Sequence, residues 1–219
     1  MSHDSQLQQF VLNALAWEPS IVAGHIGVTA DAGVVTLSGH VTTYAQKLAA
    51  ETAARGVKGV KAVVEDIKVR LPSDEQPSDE RIAAAAVTRL GWNVSVPRDA
   101  VKIKVENGWV TLTGEVDWHF ERIAAEQDIR HLFGVTGVSN HIKIKPRAIA
   151  STISDDIMHA LHRSWFFDPA AITVTVNDGR VRLTGTVTSP HDRQVAAATA
   201  WAASGVTEVE NDLIVVQAA

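Results

Sequence analysis

No cysteine occurs in the 219 residues, which excludes a disulfide framework and any thiolate site, whether catalytic or metal-bound. Nor is there a surplus of positive charge. The chain has 20 Lys and Arg against 25 Asp and Glu, a net charge of -5, which argues against bulk electrostatic attraction to nucleic acid or to an anionic membrane. No apolar run approaches the roughly 18 residues that a transmembrane helix requires. The opening residues Met1-Ser2-His3-Asp4-Ser5-Gln6 lack the basic stretch and the apolar core of a secretory signal. The expected location is therefore cytoplasmic, with the periplasm as the alternative if the N-terminus has been trimmed. No P-loop or dinucleotide fingerprint is present, and the glycines fall at turn positions.

What the chain does have is one unit written three times. Shifted by 75 residues, Leu7–Val69 overlays Ile82–Ile144 without a gap, and a further shift of 71 overlays Ile153–Val215. Each copy opens with an apolar stripe at helical period: Leu7, Val11 and Leu15; Ile82, Ala86 and Leu90; Ile153, Ile157 and Leu161. Asp4/Ser5, Ser78/Asp79 and Ser151/Thr152 are the expected N-caps. An alternating run follows (Ile26–Ala30, Val101–Val105, Ile172–Val176), then a turn at Ala32-Gly33, Asn107-Gly108 or Asp178-Gly179. The next strand repeats one face without change: Val35, Leu37, Gly39 and Val41 become Val110, Leu112, Gly114 and Val116, then Val181, Leu183, Gly185 and Val187. That face must be the core face, with the glycine admitting a close helix or a bulge. A second helix buries Ala50, Ala54 and Val57 or their equivalents, and Gly59-Val60, Gly134-Val135 and Gly205-Val206 lead into a closing strand.

The expected fold is α/β in the α+β sense. It comprises three tandem α-β-β-α-β units over residues 4–69, 79–144 and 150–215. In each, a hairpin plus a strand-helix-strand crossover gives a three-stranded mixed sheet with both helices on one face. The other face is open to solvent or to a partner.

The run Gly108-Trp-Val-Thr-Leu-Thr-Gly-Glu-Val116, followed by Gly134-Val-Thr-Gly-Val138 and Asn140-His-Ile142, resembles the BON domain, and all three copies carry the pattern. The family includes periplasmic osmotic-stress proteins, envelope lipoproteins and a cytosolic potassium-binding protein. The resemblance implies a non-enzymatic protein that binds phospholipid or macromolecular partners, in osmotic or general stress. The alternative it leaves open is a cytosolic sensor of a small ligand or of potassium ion. No cofactor is expected, the negative charge argues against a nucleic-acid partner, and the oligomeric state is left open.

The residues support a scaffold more than a reaction. From Gly33 to Val69 nine positions are identical in all copies, and every one is apolar or glycine. A shared acid/base pair or nucleophile would require recurring carboxylates, histidines or serines, and none recurs. His159 and His162 have the i, i+3 spacing of a ligand pair, but no third ligand is obvious except Asp155 or Asp156. A basic residue does recur at Lys47, Arg122 and Arg193, at the start of the second helix. It could meet a phosphate or a headgroup, or it could simply lay its stem over the core.

The aromatic residues differ among copies, and they are the binding candidates. Trp165 and Phe166 lie in the helix-to-strand loop of the third copy, where Phe167 replaces the core residues Ile21 and Val96. Trp92 lies in the corresponding region of the second copy, and Trp118 and Phe120 open that copy's second helix. Exposed aromatics mark membrane-interface or protein contacts. The third copy is also the acidic one, with four Lys and Arg against eight Asp and Glu, so a protein partner or docking between copies suits it better than lipid.

Overall fold

In the computed structural model, which describes residues 3–71, 77–146, 150–163 and 171–216, the element order α-β-β-α-β appears three times. The first copy consists of α1 (His3–Trp17), β1 (Ile26–Asp31), β2 (Val34–Val41), α2 (Tyr44–Arg55) and β3 (Ala62–Val69). The second has α3 (Asp79–Trp92), β4 (Val101–Glu106), β5 (Trp109–Val116), α4 (His119–Arg130) and β6 (Gly137–Ile144). The third has α5 (Ala150–His162), β7 (Ile172–Asn177), β8 (Arg180–Val187), α6 (Pro190–Trp201) and β9 (Glu208–Val215).

Three separate three-stranded sheets result, ordered β1-β2-β3, β4-β5-β6 and β7-β8-β9. In the first and third, the opening pair is antiparallel and the closing pair parallel. The strand that repeats most faithfully in the sequence is thus the central one, hydrogen-bonded on both edges and least tolerant of change. Val35 and Leu37, Val110 and Leu112, and Val181 and Leu183 are buried, as the period of two requires. The helical stripes are buried with them: Leu7, Val11 and Leu15; Ile82, Ala86 and Leu90; Ile153, Ile157 and Leu161. The first core is built from residues between Leu7 and Ile67, and the third from residues between Ile153 and Leu213. Each closes over its own copy.

The hairpin turns have positive φ at both central residues: +49° and +89° at Ala32-Gly33, +52° and +76° at Asn107-Gly108, +47° and +81° at Asp178-Gly179. This is the mirror-image turn that matches strand twist, so asparagine and aspartate before glycine are favoured there. In the second copy, Asp79 reinforces the turn. Its two carboxylate oxygens accept from the backbone N–H of Asn107 (2.8 Å) and Gly108 (2.9 Å). Ser78 rather than Asp79 therefore caps α3, its hydroxyl accepting from the Arg81 N–H at 3.4 Å. The other expected caps lie inside helices, since α1 begins at His3 and α5 at Ala150.

For the repeated glycine of the central strand, the close neighbour is not a helix, one of the two alternatives expected. Gly39, Gly114 and Gly185 adopt φ of +120°, +137° and +123°. A Cβ at these positions would lie 2.0–2.1 Å from the carbonyl oxygen of His25, Ala100 or Ala171. The close approach is thus to the backbone entering the neighbouring hairpin strand, not to a helix.

Candidate functional site

The recurring cations lie where the second helix meets the closing strand. Lys47 Nζ donates to the Ile67 carbonyl at 3.0 Å and pairs with Glu65 at 3.1 Å. Arg193 donates from Nη2 to the Asn211 carbonyl at 2.8 Å, and the Asn211 side-chain amide donates back to the Arg193 carbonyl at 2.8 Å. In the second copy, Asn140 donates to the Arg122 carbonyl at 3.1 Å and to Glu126 at 2.9 Å. One clasp, 18 residues apart in sequence, therefore joins helix to strand in each copy (47–65, 122–140, 193–211). Its strand-side member was missed in the sequence because its identity changes from Glu65 to Asn140 and Asn211. Arg122 differs from its equivalents: its Nε is buried without a hydrogen-bond partner among the described residues.

The start of the second helix carries another recurring device. Thr43 caps α2 by accepting from the Gln46 N–H at 3.2 Å, while Gln46 Oε1 accepts from the Thr42 N–H at 3.0 Å. Ser189 caps α6 by accepting from the Asp192 N–H at 3.1 Å, and Thr188 donates to the Asp192 carboxylate at 2.7 Å. These resemble capping boxes, with the third helical residue reaching back to the residue before the cap. The hydroxyl donors of Thr188 and then Ser189 hold the Asp192 carboxyl below its ordinary value. In the second copy Trp118 stands at the cap position and offers no oxygen. Glu121 takes the N–H groups of both Asp117 (2.9 Å) and Trp118 (3.1 Å). Gln46, Glu121 and Asp192 are thus equivalent and structural.

That substitution brings aromatics to the surface. Trp118 stacks on Phe120 with ring centroids 6.5 Å apart, and Phe120 is 57% exposed. Trp92 is the last residue of α3 rather than a loop residue, and it is 82% exposed. Trp17 occupies the same place at the end of α1 and is 89% exposed. Each lies two residues beyond the last buried position of its helix, Leu15 or Leu90, and so points away from the core. Trp17 was overlooked in the sequence, although the 75-residue shift places it on Trp92; asking for identity in all three copies hid a residue shared by two. Val22 and Val94, in the loops that follow, are also exposed. Trp165, Phe166 and Phe167 lie outside the described residues.

A further aromatic lies on an open sheet face. Trp109 covers Gly137, where a Cβ would lie 2.4 Å from its ring, and its Nε1 donates to the Ser139 hydroxyl at 2.9 Å. His159 and His162 border a groove with Asp156, Arg163 and Thr199. Among the described residues no group of three His, Asp or Glu is placed to hold a metal ion. Nor is any helix among them long and apolar enough to cross a membrane.

Comparison with known proteins decides the family. The BON domain matches residues 3–70, 78–146 and 150–217, nearly the whole chain. The chain belongs to the BON family. This BON protein is 32% identical over 146 residues to osmotically-inducible protein Y of Escherichia coli (strain K12), a match covering 65% of the chain and 73% of that protein. It is 52% identical over 46 residues to an uncharacterized protein in the gshII 5' region of Anaplasma centrale, covering 21% of the chain and 30% of that protein. Among solved structures, CdsD, a structural protein of the type III secretion system of Chlamydia trachomatis, aligns over 97% of the chain and 93% of its own, at 16% identity and a TM-score of 0.29. Agreement at that level carries no argument about function.

Proposed function

We propose that this BON protein is a non-enzymatic binding protein of the osmotic or general stress response that engages phospholipid surfaces through Trp17 and Trp92. Family membership and similarity to an osmotically inducible protein support the stress role. The observation that carries the binding reading is the pair of equivalent, almost fully exposed tryptophans ending α1 and α3. Indole rings favour the boundary between headgroup and acyl chain. Burying one contributes roughly 2–3 kcal/mol, a marginal anchor by itself. Each tryptophan is one such anchor, carried by its own copy. The net charge of -5 means that insertion, not charge, drives the contact.

Co-sedimentation with phosphatidylcholine vesicles, with and without phosphatidylglycerol, tests this. The chain is expected to pellet with both, Trp17→Ala and Trp92→Ala each to weaken binding, and the double variant to abolish it. No pelleting with either vesicle sinks the lipid reading. If, in that case, K⁺ but not Na⁺ raises the melting temperature, the ion-sensor reading takes its place.

A further inference from the structure

His119, the first residue of α4, lies flat against Trp201, the last residue of α6, with ring centroids 3.7 Å apart and planes inclined by 15°. The two rings come from different copies. They belong to one compact body that includes residues 112–126 and 140–219. Trp201 also packs against the buried cluster of the third copy. Burial at this junction is uneven in its chemistry. The imidazole Nδ1 is buried and has no hydrogen-bond partner among the described residues, and the buried Nε of Arg122, one turn along α4, has none either.

We propose that the His119–Trp201 stack is a docking contact between the second and third copies, and that protonation of His119 releases it. The neutral ring fits the contact as it stands. A proton on Nδ1 would create a buried donor with no acceptor, beside a second cation. Attraction of an imidazolium to the indole face works in the opposite direction. Among the described residues, the influences that act on the His119 charge are burial and Arg122, and both oppose it. Glu121 is engaged with the amides of Asp117 and Trp118, and Asp117 pairs with Lys145 at 3.6 Å. From Val195 to Thr207, the last turns of α6 and the chain that follows carry no charged side chain. Desolvation, and then the charge of Arg122, accordingly hold the imidazole below its ordinary value of 6.5. The docked state binds fewer protons, so docking is complete above 6.5 and is lost as the pH falls through the lower, docked value. The acid-sensitive quantity is the association of two copies, not the fold of either.

Histidine ring NMR on the full chain tests this. His119 should titrate below 6.5, with its ring protons shifted upfield by Trp201 at neutral pH and returning towards free-histidine positions as pH falls. Trp201→Ala should abolish the upfield shift and move the titration up towards the ordinary value. His119→Phe, which keeps a flat ring without a titrating group, should leave the radius of gyration insensitive to pH where that of the parent rises on acidification at constant helical signal. Titration of His119 at or above 6.5, a parent radius that does not change, a rise accompanied by loss of helical signal, or the same rise in His119→Phe would each overturn the proposal.

Discussion

At Gly114 the backbone takes φ +137° and lies so close to the entering strand that a Cβ would meet the Ala100 carbonyl oxygen at 2.0 Å. Two costs coincide there: a side chain in a conformation that L residues avoid, and a collision with backbone that has no rotamer to yield. Gly114→Val should therefore destabilise the second copy by about 3 kcal/mol or more, combining φ strain with overpacking. Thr113 is the adjacent, exposed residue on the same strand. Thr113→Val should stay within about 0.5 kcal/mol, as exposed substitutions usually do. Equal shifts in thermal unfolding would refute this assignment of strand faces. The repeat pattern alone made this glycine visible as obligatory. What it approaches was not visible, because the carbonyl it meets belongs to a residue whose identity is free: His25, Ala100 or Ala171.

At the scale of the element, the caps and clasps show why some structural residues escape a comparison of copies. Where only one residue type can satisfy the backbone, identity persists, as it does for Gly33 and Gly39 and their equivalents. Where several side chains can do one job, it does not. An amide or a carboxylate serves equally at the third position of the second helix, so Gln46, Glu121 and Asp192 read as unrelated residues until their hydrogen bonds align them. The same holds for Glu65, Asn140 and Asn211 at the helix–strand clasp. Conversely, the periodicity of two and of about 3.6 located the described strands and α-helices, though not the short 3-10 turn at Ala23–His25, because burial demands hydrophobic character rather than one residue. The second copy tests the capping argument. With Trp118 at the cap position, Glu121 accepts from two backbone donors. Glu121→Ala should cost about 1–2 kcal/mol, the upper part of the range for losing a cap. Gln46→Ala should cost less, because the Thr43 hydroxyl still holds its N–H bond in α2. Thermal melts ranking the two variants in the opposite order would show that Trp118 or its neighbours supply a cap by another route.

For the whole molecule, the consequence of repetition is that stability is held in separate cores, while the proposed binding residues lie among those the three copies do not all share. The candidate surface follows that division. The scaffold positions are common to all three copies, whereas Trp17 and Trp92 occur in two, Trp118 and Phe120 in one, and the ring pair His119–Trp201 joins two copies through residues unlike their equivalents. The first core draws on residues from Leu7 to Ile67 and the third on residues from Ile153 to Leu213, with no member in common. Each is small, in a size range where net stability is only a few kcal/mol. Leu37 is fully buried in the central strand of the first core, and Leu183 is its equivalent in the third. Leu37→Ala should remove about 3 kcal/mol from the first core through lost burial and an unfilled cavity. Native-state hydrogen exchange should then accelerate across β1, β2 and β3, while the amides of β7, β8 and β9 keep their protection. Leu183→Ala should produce the reverse. If either substitution lowered protection equally in both sheets, the cores would be folding as a single cooperative body. Separate burial makes the local outcome the expected one, and it would leave each copy free to tolerate the surface changes through which the copies have come to differ.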